Sequence, residues 1–464
     1  MHNYHYRRKN KSKIPLLVIL ALLIAGSVYI YLSDNFERIA PTITIDDKIY
    51  WNLKEPIPLK IEDNYGIKSY KVTLIQGENA ITLDHKEGIS GNIKTIQTAL
   101  QYPKNIVLST GVATKLRIDV TDESLWNLMA GNQIHKEVPV VIDKKRPLVN
   151  IISKSYAFRK GGSALVIFEA KDEYLSELNI ISSEGRTFEV FPFMKEGFYI
   201  ALLANDIRDE NFKMFINAVD KAGNITRAFI PFYYQNRSYR TSKISLTDKF
   251  LEGKIEQLFY ENNHDAGVDY DKISKLEKFR FINEDLRTSN YRFIAKYTVP
   301  KTHEMINNFE IEAFVPLINS AKVGSFGDHR YYSYKGKKVS ESYHMGIDFA
   351  SVKNDKIRLS NPGKVIFAGY NGIYGNMPII DHGLGLYTIY AHCSNLFVTE
   401  GMTLEKGHVI GETGTSGLAL GDHLHFGILV QGLEVRPEEW LDKSWIKANI
   451  TNVIKDAKKI IGAI

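Results

Sequence analysis

The chain has 464 residues, of which 44% are hydrophobic, 24% charged and 11% aromatic. This composition excludes a mostly disordered chain, a collagen-like chain and a multi-span membrane protein, and the single cysteine, Cys393, excludes an internal disulfide or a Cys-rich zinc module. Net charge is +6, but Arg7, Arg8, Lys9, Lys11 and Lys13 carry five of those charges ahead of the first acid, Asp34, so the body offers no nucleic-acid footprint.

Residues 14–32 run without a charge. As a helix they would reach about 28 Å, close to the ~30 Å hydrocarbon core of a bilayer. All flanking positive charge precedes the run, so the positive-inside rule predicts a cytoplasmic basic tail at 1–13, a single-pass signal anchor at 14–32, and the remainder outside the cytoplasmic membrane. A signal peptide cleaved near Ala25-Gly26-Ser27 is the competing reading.

Residues 36–145 and 146–235 read as two β-rich modules of similar plan. Each opens on a Pro-containing strand, Ala40-Pro41-Thr42-Ile43 or Arg146-Pro147-Leu148-Val149. Each carries an apolar strand into an aspartate, Ile61-Glu62-Asp63 or Ala170-Lys171-Asp172. Each closes on a strand ending in Asp122 or Asp220, with a turn sequence behind it. The pattern resembles the immunoglobulin-like β-sandwich domains of bacterial surface proteins. It predicts a stalk that spaces the next domain from the membrane or, alternatively, offers a surface to protein partners.

Residues 243–300 change to helical spacing. Ser245-x-x-Asp248 reads as a capping box, with Leu251, Ile255, Leu258 and Phe259 on one face and Ile273, Leu276 and Phe279 following a polar break. A two-helix connector is expected, either passive or lying over the site that follows. Residues 443–464 predict a C-terminal amphipathic helix, with Ile446, Ile450, Val453, Ile454, Ala457 and Ile461 on one face, packing against the chain or, less simply, a membrane surface.

The chemistry lies in 309–442. Six of the 13 histidines fall between His344 and His425, four of them in local patterns: His344-x-x-x-Asp348, Tyr390-Ala391-His392 and His423-Leu424-His425. Two imidazoles and one carboxylate suit Zn²⁺, leaving a net positive centre that activates water and polarises a carbonyl. Further histidines beside such a centre can move the proton or steady the oxyanion. His423 and His425 are expected on one face of a strand, His392 at the end of another, and Gly346 at a turn between His344 and Asp348.

Residues 313–440 resemble the LytM/lysostaphin-type zinc metalloendopeptidases, which cut peptide bridges of bacterial peptidoglycan. The resemblance rests on Phe326-Gly327-Asp328-His329-Arg330, His344-Met345-Gly346-Ile347-Asp348, Asn361-Pro362-Gly363, Tyr390-Ala391-His392, Thr413-Gly414-Thr415-Ser416-Gly417 and His423-Leu424-His425-Phe426. It implies a compact antiparallel β-sheet domain with one Zn²⁺ held by His344, Asp348 and His425, and His392 and His423 as the catalytic pair. Asp422 departs from the proline often found before the last motif. His382, His408, His329, His303 and His264 carry no ligand pattern; His382 is expected in a solvated turn, and Cys393 as a packed small residue.

The expected protein is therefore mainly β and anchored in a bacterial inner membrane. Its catalytic domain lies in the periplasm or extracellular wall space and hydrolyses peptidoglycan stem-peptide cross-links. The alternatives are a non-enzymatic regulator that recruits another hydrolase and a zinc peptidase acting on secreted proteins. A latent form covered by 243–300 or 331–342 is also expected to be possible.

Overall fold

The computed structural model describes residues 14–103, 106–109, 111–210, 212–263, 270–300 and 304–463. The expected basic tail at 1–13, His264 and His303 lie outside the described residues. The chain is mainly β and divides into two compact units, Met1–Arg146 with Asp220–Asn224, and Pro147–Val219 with Ile225–Ile464.

The first unit begins with a helix, Ile14–Leu32, none of whose residues is buried. An apolar helix left bare in this way has its partner outside the chain, as a membrane-crossing or signal segment does. Behind it, a three-stranded sheet ordered Thr42–Thr44, Ile57–Glu62, Thr95–Leu100 shares a core with a five-stranded sheet ordered Ile49–Trp51, Gln133–Ile142, Thr114–Asp122, Ile67–Gln76, Asn79–Lys86. Alternation specifies the inward face: Leu116, Ile118 and Val120 are buried along one strand, with Lys115 exposed before Leu116 and Arg117 exposed after it. Each apolar side chain sunk in this way contributes about 1.5–3 kcal/mol.

In the second unit, the strands Phe191–Phe193, Lys195–Ala204, Ser163–Lys171 and Leu148–Lys154 form one sheet, and Thr187–Phe188, Leu175–Ser182, Met214–Asp220 and Ile225–Phe229 another. Strand Ser163–Lys171 does not alternate. Leu165, Val166, Ile167 and Phe168 are all fully buried. One continuous core runs from these residues to the C-terminal sheet and the C-terminal helix. An uninterrupted apolar run is the sequence mark of a strand covered on both faces. The module is thus built into the domain that follows it.

The C-terminal domain holds an eight-stranded sheet whose order begins Ala321–Gly324, Ile347–Ala350, Leu424–Val430, Leu386–Ala391, Asn376–Asp381, Gly363–Tyr370, Thr403–Leu404, with Leu433–Val435 also paired to Leu424–Val430. Its two faces are covered differently. Leu424, Phe426 and Ile428 enter the core shared with the preceding module, while Tyr387, Ile389 and Leu429 pack under the connector helices. The chain from Lys443 to Ala463 is helical, through a π-helical stretch at Lys447–Thr451, and buries Ile446, Ile450, Val453, Ile454, Ala457 and Ile461 in the shared core. Internal packing thus accounts for its apolar face.

The connector differs from expectation at its start. Ser245 does not cap a helix; Thr241–Ser245 is a strand paired in parallel with His329–Ser333. That pairing claims Ser245, and Thr247 takes over, its side chain accepting the Phe250 N–H at 3.3 Å. The capping box stands at the second helix, where Ser274 and Glu277 satisfy each other's backbone N–H groups. Helical runs 248–261 and 275–297 then lay Leu251, Ile255, Leu258, Phe279 and Ile282 on the sheet.

Candidate metal and catalytic site

Strand pairing assembles the site. Asp348 on Ile347–Ala350 lies directly opposite His425 on Leu424–Val430. His344 ends strand Lys337–His344, and His392 follows Leu386–Ala391 with φ 65°, in the left-handed region that ordinary side chains seldom adopt. His423 precedes the strand that holds His425, so the strand starts at Leu424 and takes in one of the two histidines expected on it.

Three donor atoms converge. His344 Nε2 stands 3.0 Å from Asp348 Oδ1 and 3.0 Å from His425 Nδ1, and His425 Nδ1 is 2.9 Å from Asp348 Oδ1. His344 Nδ1 lies 2.9 Å from the Ser325 carbonyl oxygen, which can only accept. The ring proton therefore sits on Nδ1, and Nε2 turns a lone pair into the cluster. His425 Nε2 is buried without a partner. Ligands of a tetrahedral ion with bonds of about 2.0–2.1 Å stand roughly 3.3 Å apart. Two imidazole nitrogens and a carboxylate oxygen so placed fit a metal, and these three residues could hold one.

Glycines make the closeness possible. A β-carbon on Gly346 would stand 2.5 Å from His425 Nε2, and one on Gly324 would collide with Asp348 Oδ2. Gly346 is therefore required for close approach, not for the turn expected of it; its φ is not in the positive range.

His392 and His423 flank the triad. Their rings are 4.8 Å apart, and His423 Nε2 is 3.8 Å from Asp348 Oδ1. Each commits its Nδ1 to a carbonyl, His392 to Ser416 at 2.8 Å and His423 to Gly421 at 2.7 Å. In the neutral rings both Nε2 atoms are proton acceptors. Burial, with the neighbouring His423 and His425, lowers the His392 pKa well below its ordinary value. Burial likewise lowers His425 to about 4 against the pull of Asp348. Asp348 is pushed up by burial, but His344 and His425 outweigh this and hold it far below the usual carboxylate range.

The remaining histidines stand elsewhere. His382 is half-buried with both ring nitrogens engaged: Nδ1 and Nε2 lie 2.8 Å from the Pro362 carbonyl and the Thr388 hydroxyl, and burial lowers its pKa to about 4. His329 stacks on Tyr343, and the His408 backbone bonds Glu405 and Leu359. Cys393 is buried, its thiol pushed up to about 12 by burial, which suits packing rather than nucleophilic attack.

The connector, expected either as passive or as lying over the site, forms part of its wall, through residues the sequence did not single out for that role. A cavity of about 350 Å³ opens onto the histidines and is walled by the connector residues Phe250, Phe279, Arg287 and Tyr291 and by Arg330 and Tyr332. Arg330 Nη2 is 3.9 Å from Asp348 Oδ2. Tyr374 packs edge-on to His425 at 5.6 Å and donates to Glu434 at 2.7 Å. The connector shapes the cavity, and hairpin 331–342 is ordered strand, with no side chain of either among the described ligand atoms of the cluster. Arg330 carried a hint only in Phe326-Gly327-Asp328-His329-Arg330; Tyr374 carried none.

Residues 342–437 match the model of peptidase family M23. The DD-carboxypeptidase/endopeptidase Mpg of Neisseria meningitidis serogroup B is 39% identical over 94 residues, 20% of this chain and 22% of that protein. The peptidoglycan DD-endopeptidase ShyA of Vibrio cholerae is 30% identical over 144 residues, 31% of each chain. The catalytic domain of lysostaphin from Staphylococcus simulans aligns at 25% identity over 26% of this chain and 92% of that domain, with a TM-score of 0.23. The matched region thus spans under a third of the length of either curated relative.

Proposed function

With a peptidase family M23 domain at residues 342–437 as the premise, we propose that the chain is a zinc-dependent endopeptidase of peptidoglycan cross-links, held at the outer face of a bacterial cytoplasmic membrane by helix Ile14–Leu32. The observation that carries the reading is the convergence of His344 Nε2, Asp348 Oδ1 and His425 Nδ1 within 3.0 Å. These three residues would hold the ion. When bound, zinc supplies Lewis acidity toward a peptide carbonyl and brings the pKa of water near neutrality.

The chain's own groups do the rest. His423, whose Nδ1 is committed to the Gly421 carbonyl, uses Nε2, 3.8 Å from Asp348 Oδ1, to take the proton of the attacking water. His392 Nε2 accepts a hydrogen bond from that water and keeps it in line. The proton taken up by the imidazole is then delivered to the leaving amine. The cavity wall of Phe250, Phe279 and Tyr332 excludes bulk water, and Arg330 and Arg287 favour an anionic peptide such as a stem peptide. A recruiting regulator has no need of five converging groups, which supports the enzymatic reading.

The test is digestion of isolated wall sacculi by the full chain in detergent with zinc, resolved by mass. New free stem-peptide ends are expected. His425→Ala should lose metal and cutting together, and His423→Ala should keep most of the metal and lose cutting. Zinc-loaded protein that releases no new peptide would overturn the proposal.

A further inference from the structure

A second cluster lies in the first unit, just past the apolar helix. Glu37, Asp63 and Asp122 each offer a carboxylate oxygen within 4.8 Å of the others. Glu37 follows the helix by five residues, Asp63 follows strand Ile57–Glu62, and Asp122 ends strand Thr114–Asp122. Asp122 is fully buried and Asp63 is 8% exposed. None of the three has a Lys or Arg ion-pair partner among the described residues.

A separate observation points to a ligand. Asp63 Oδ2 takes the backbone N–H groups of Tyr65 and Gly66 at 2.8 and 2.6 Å, which leaves Oδ1 buried with no partner. A buried anionic oxygen without a donor is costly, and a cation is the usual remedy. The group that bridges the other two carboxylates is neutral: the Asn132 amide donates to Glu37 Oε1 at 2.9 Å and Asp122 Oδ2 at 2.7 Å. Three carboxylates packed together, one with a buried oxygen that meets no donor, constitute an incomplete site.

We propose that Glu37, Asp63 and Asp122 bind a calcium ion that fastens the segment after the apolar helix to the base of the first module. The donor set is all oxygen and all carboxylate, which selects a hard cation, and Ca²⁺ accepts irregular coordination that the stricter Mg²⁺ does not. Glu37 already reaches the module through its backbone carbonyl, which accepts from Ser124 Oγ at 2.7 Å and Asn132 Nδ2 at 3.1 Å. The Asn35 carbonyl accepts from Leu125 N at 2.7 Å, and its side-chain Oδ1 accepts from the Tyr65 hydroxyl at 2.7 Å. The ion would turn these neutral contacts into a stiff joint. The sequence repeats the two strand-end acids in the next module, as Asp172 after Ser163–Lys171 and Asp220 at the end of Met214–Asp220.

The experiment is hydrogen exchange of the full zinc-loaded chain in detergent, with Ca²⁺ or Mg²⁺ at roughly 1 mM, the range of extracellular modules. Ca²⁺ should slow exchange in 35–39, 63–67 and 122–132, and Mg²⁺ should do so far less. Asp122→Asn and Asp63→Asn should each weaken the Ca²⁺ response at least about tenfold while exchanging no faster than the wild type without Ca²⁺, because each removes a repelling charge. That crossover is not produced by a purely structural carboxylate, whose loss would speed exchange in both conditions. If Asp122→Asn fails to fold, Asp63→Asn, which keeps an oxygen for the Tyr65 and Gly66 N–H groups, decides. Unchanged exchange with Ca²⁺ in the wild type, or an undiminished response in the variants, would overturn the proposal.

Discussion

Asp348 and His425 are register partners on neighbouring antiparallel strands, so the carboxylate and the imidazole meet because two backbones pair there. Their separation is fixed by the sheet, and the glycine beside them leaves no slack. Gly346→Ala puts a methyl 2.5 Å from His425 Nε2 and 2.7 Å from the Phe426 carbonyl. The expected result is a loss of metal affinity and activity of roughly 10–100-fold, the scale seen when ligand positioning is disturbed. Metal titration alongside circular dichroism checks it; unchanged affinity would show that the strands can yield.

Behind the cluster, Tyr374 holds a buried carboxylate. Its hydroxyl donates to Glu434 Oε1, and burial raises Glu434 to about 7. Tyr374→Phe leaves that oxygen without a donor but keeps the ring against His425. Stability should fall by about 1–3 kcal/mol, with metal affinity little altered. Denaturant unfolding and metal titration on the same variant separate the two.

Glu439 gives a pH dependence with a definite sign. It is buried, accepts from Ser163 N at 2.9 Å, and has Oε1 without a hydrogen bond. Burial raises its pKa from 4.5 to about 7. The folded chain therefore keeps a proton that the unfolded chain releases. This contribution is complete below pH 4.5 and is lost as pH rises through about 7. The loss amounts to roughly 3 kcal/mol at most. Glu439→Gln should flatten that fall; melting curves at pH 5 and pH 8 compare the two proteins, and parallel curves would count against the assignment.

A chain beginning at residue 308 would lack strand Thr241–Ser245 and both connector helices. It would bare Met377, Ile379, Ile389 and Leu429 on one sheet face and leave His329–Ser333 without its parallel neighbour. Such a chain should self-associate rather than gain activity, because open edges and apolar faces seek other copies. Size-exclusion chromatography beside a chain starting before Thr241 tests this; a monomeric, more active fragment would restore the connector as a cover.

What sequence made legible follows from how local each signal is. The 14–32 helix needs no tertiary context, since length and missing charge suffice. His344, Asp348 and His425 come together because short motifs on strands keep their spacing once the sheet forms, and His392 and His423 lie just beyond strand ends. The failures come from contacts between distant residues. Ser245 has a capping sequence, yet Ser333 lies opposite it in a strand pair. His382 sits in a turn sequence, yet Pro362 and Thr388 take both its nitrogens. Nothing near Glu37 announces that Asp63 and Asp122 will meet it.

The unbroken apolar strand Ser163–Lys171 also bears on heredity. Gln431 donates to the carbonyls of Glu189 and Leu202, and the Trp440 indole to the Ser163 hydroxyl, so the C-terminal domain and the module before it are sewn together by paired groups. Recombination that grafted this domain onto a foreign arm would orphan those donors and strip a greasy flank in one stroke. Descendants should therefore inherit the two as a single cassette, with crossovers tolerated ahead of Pro147 and selected against beyond it.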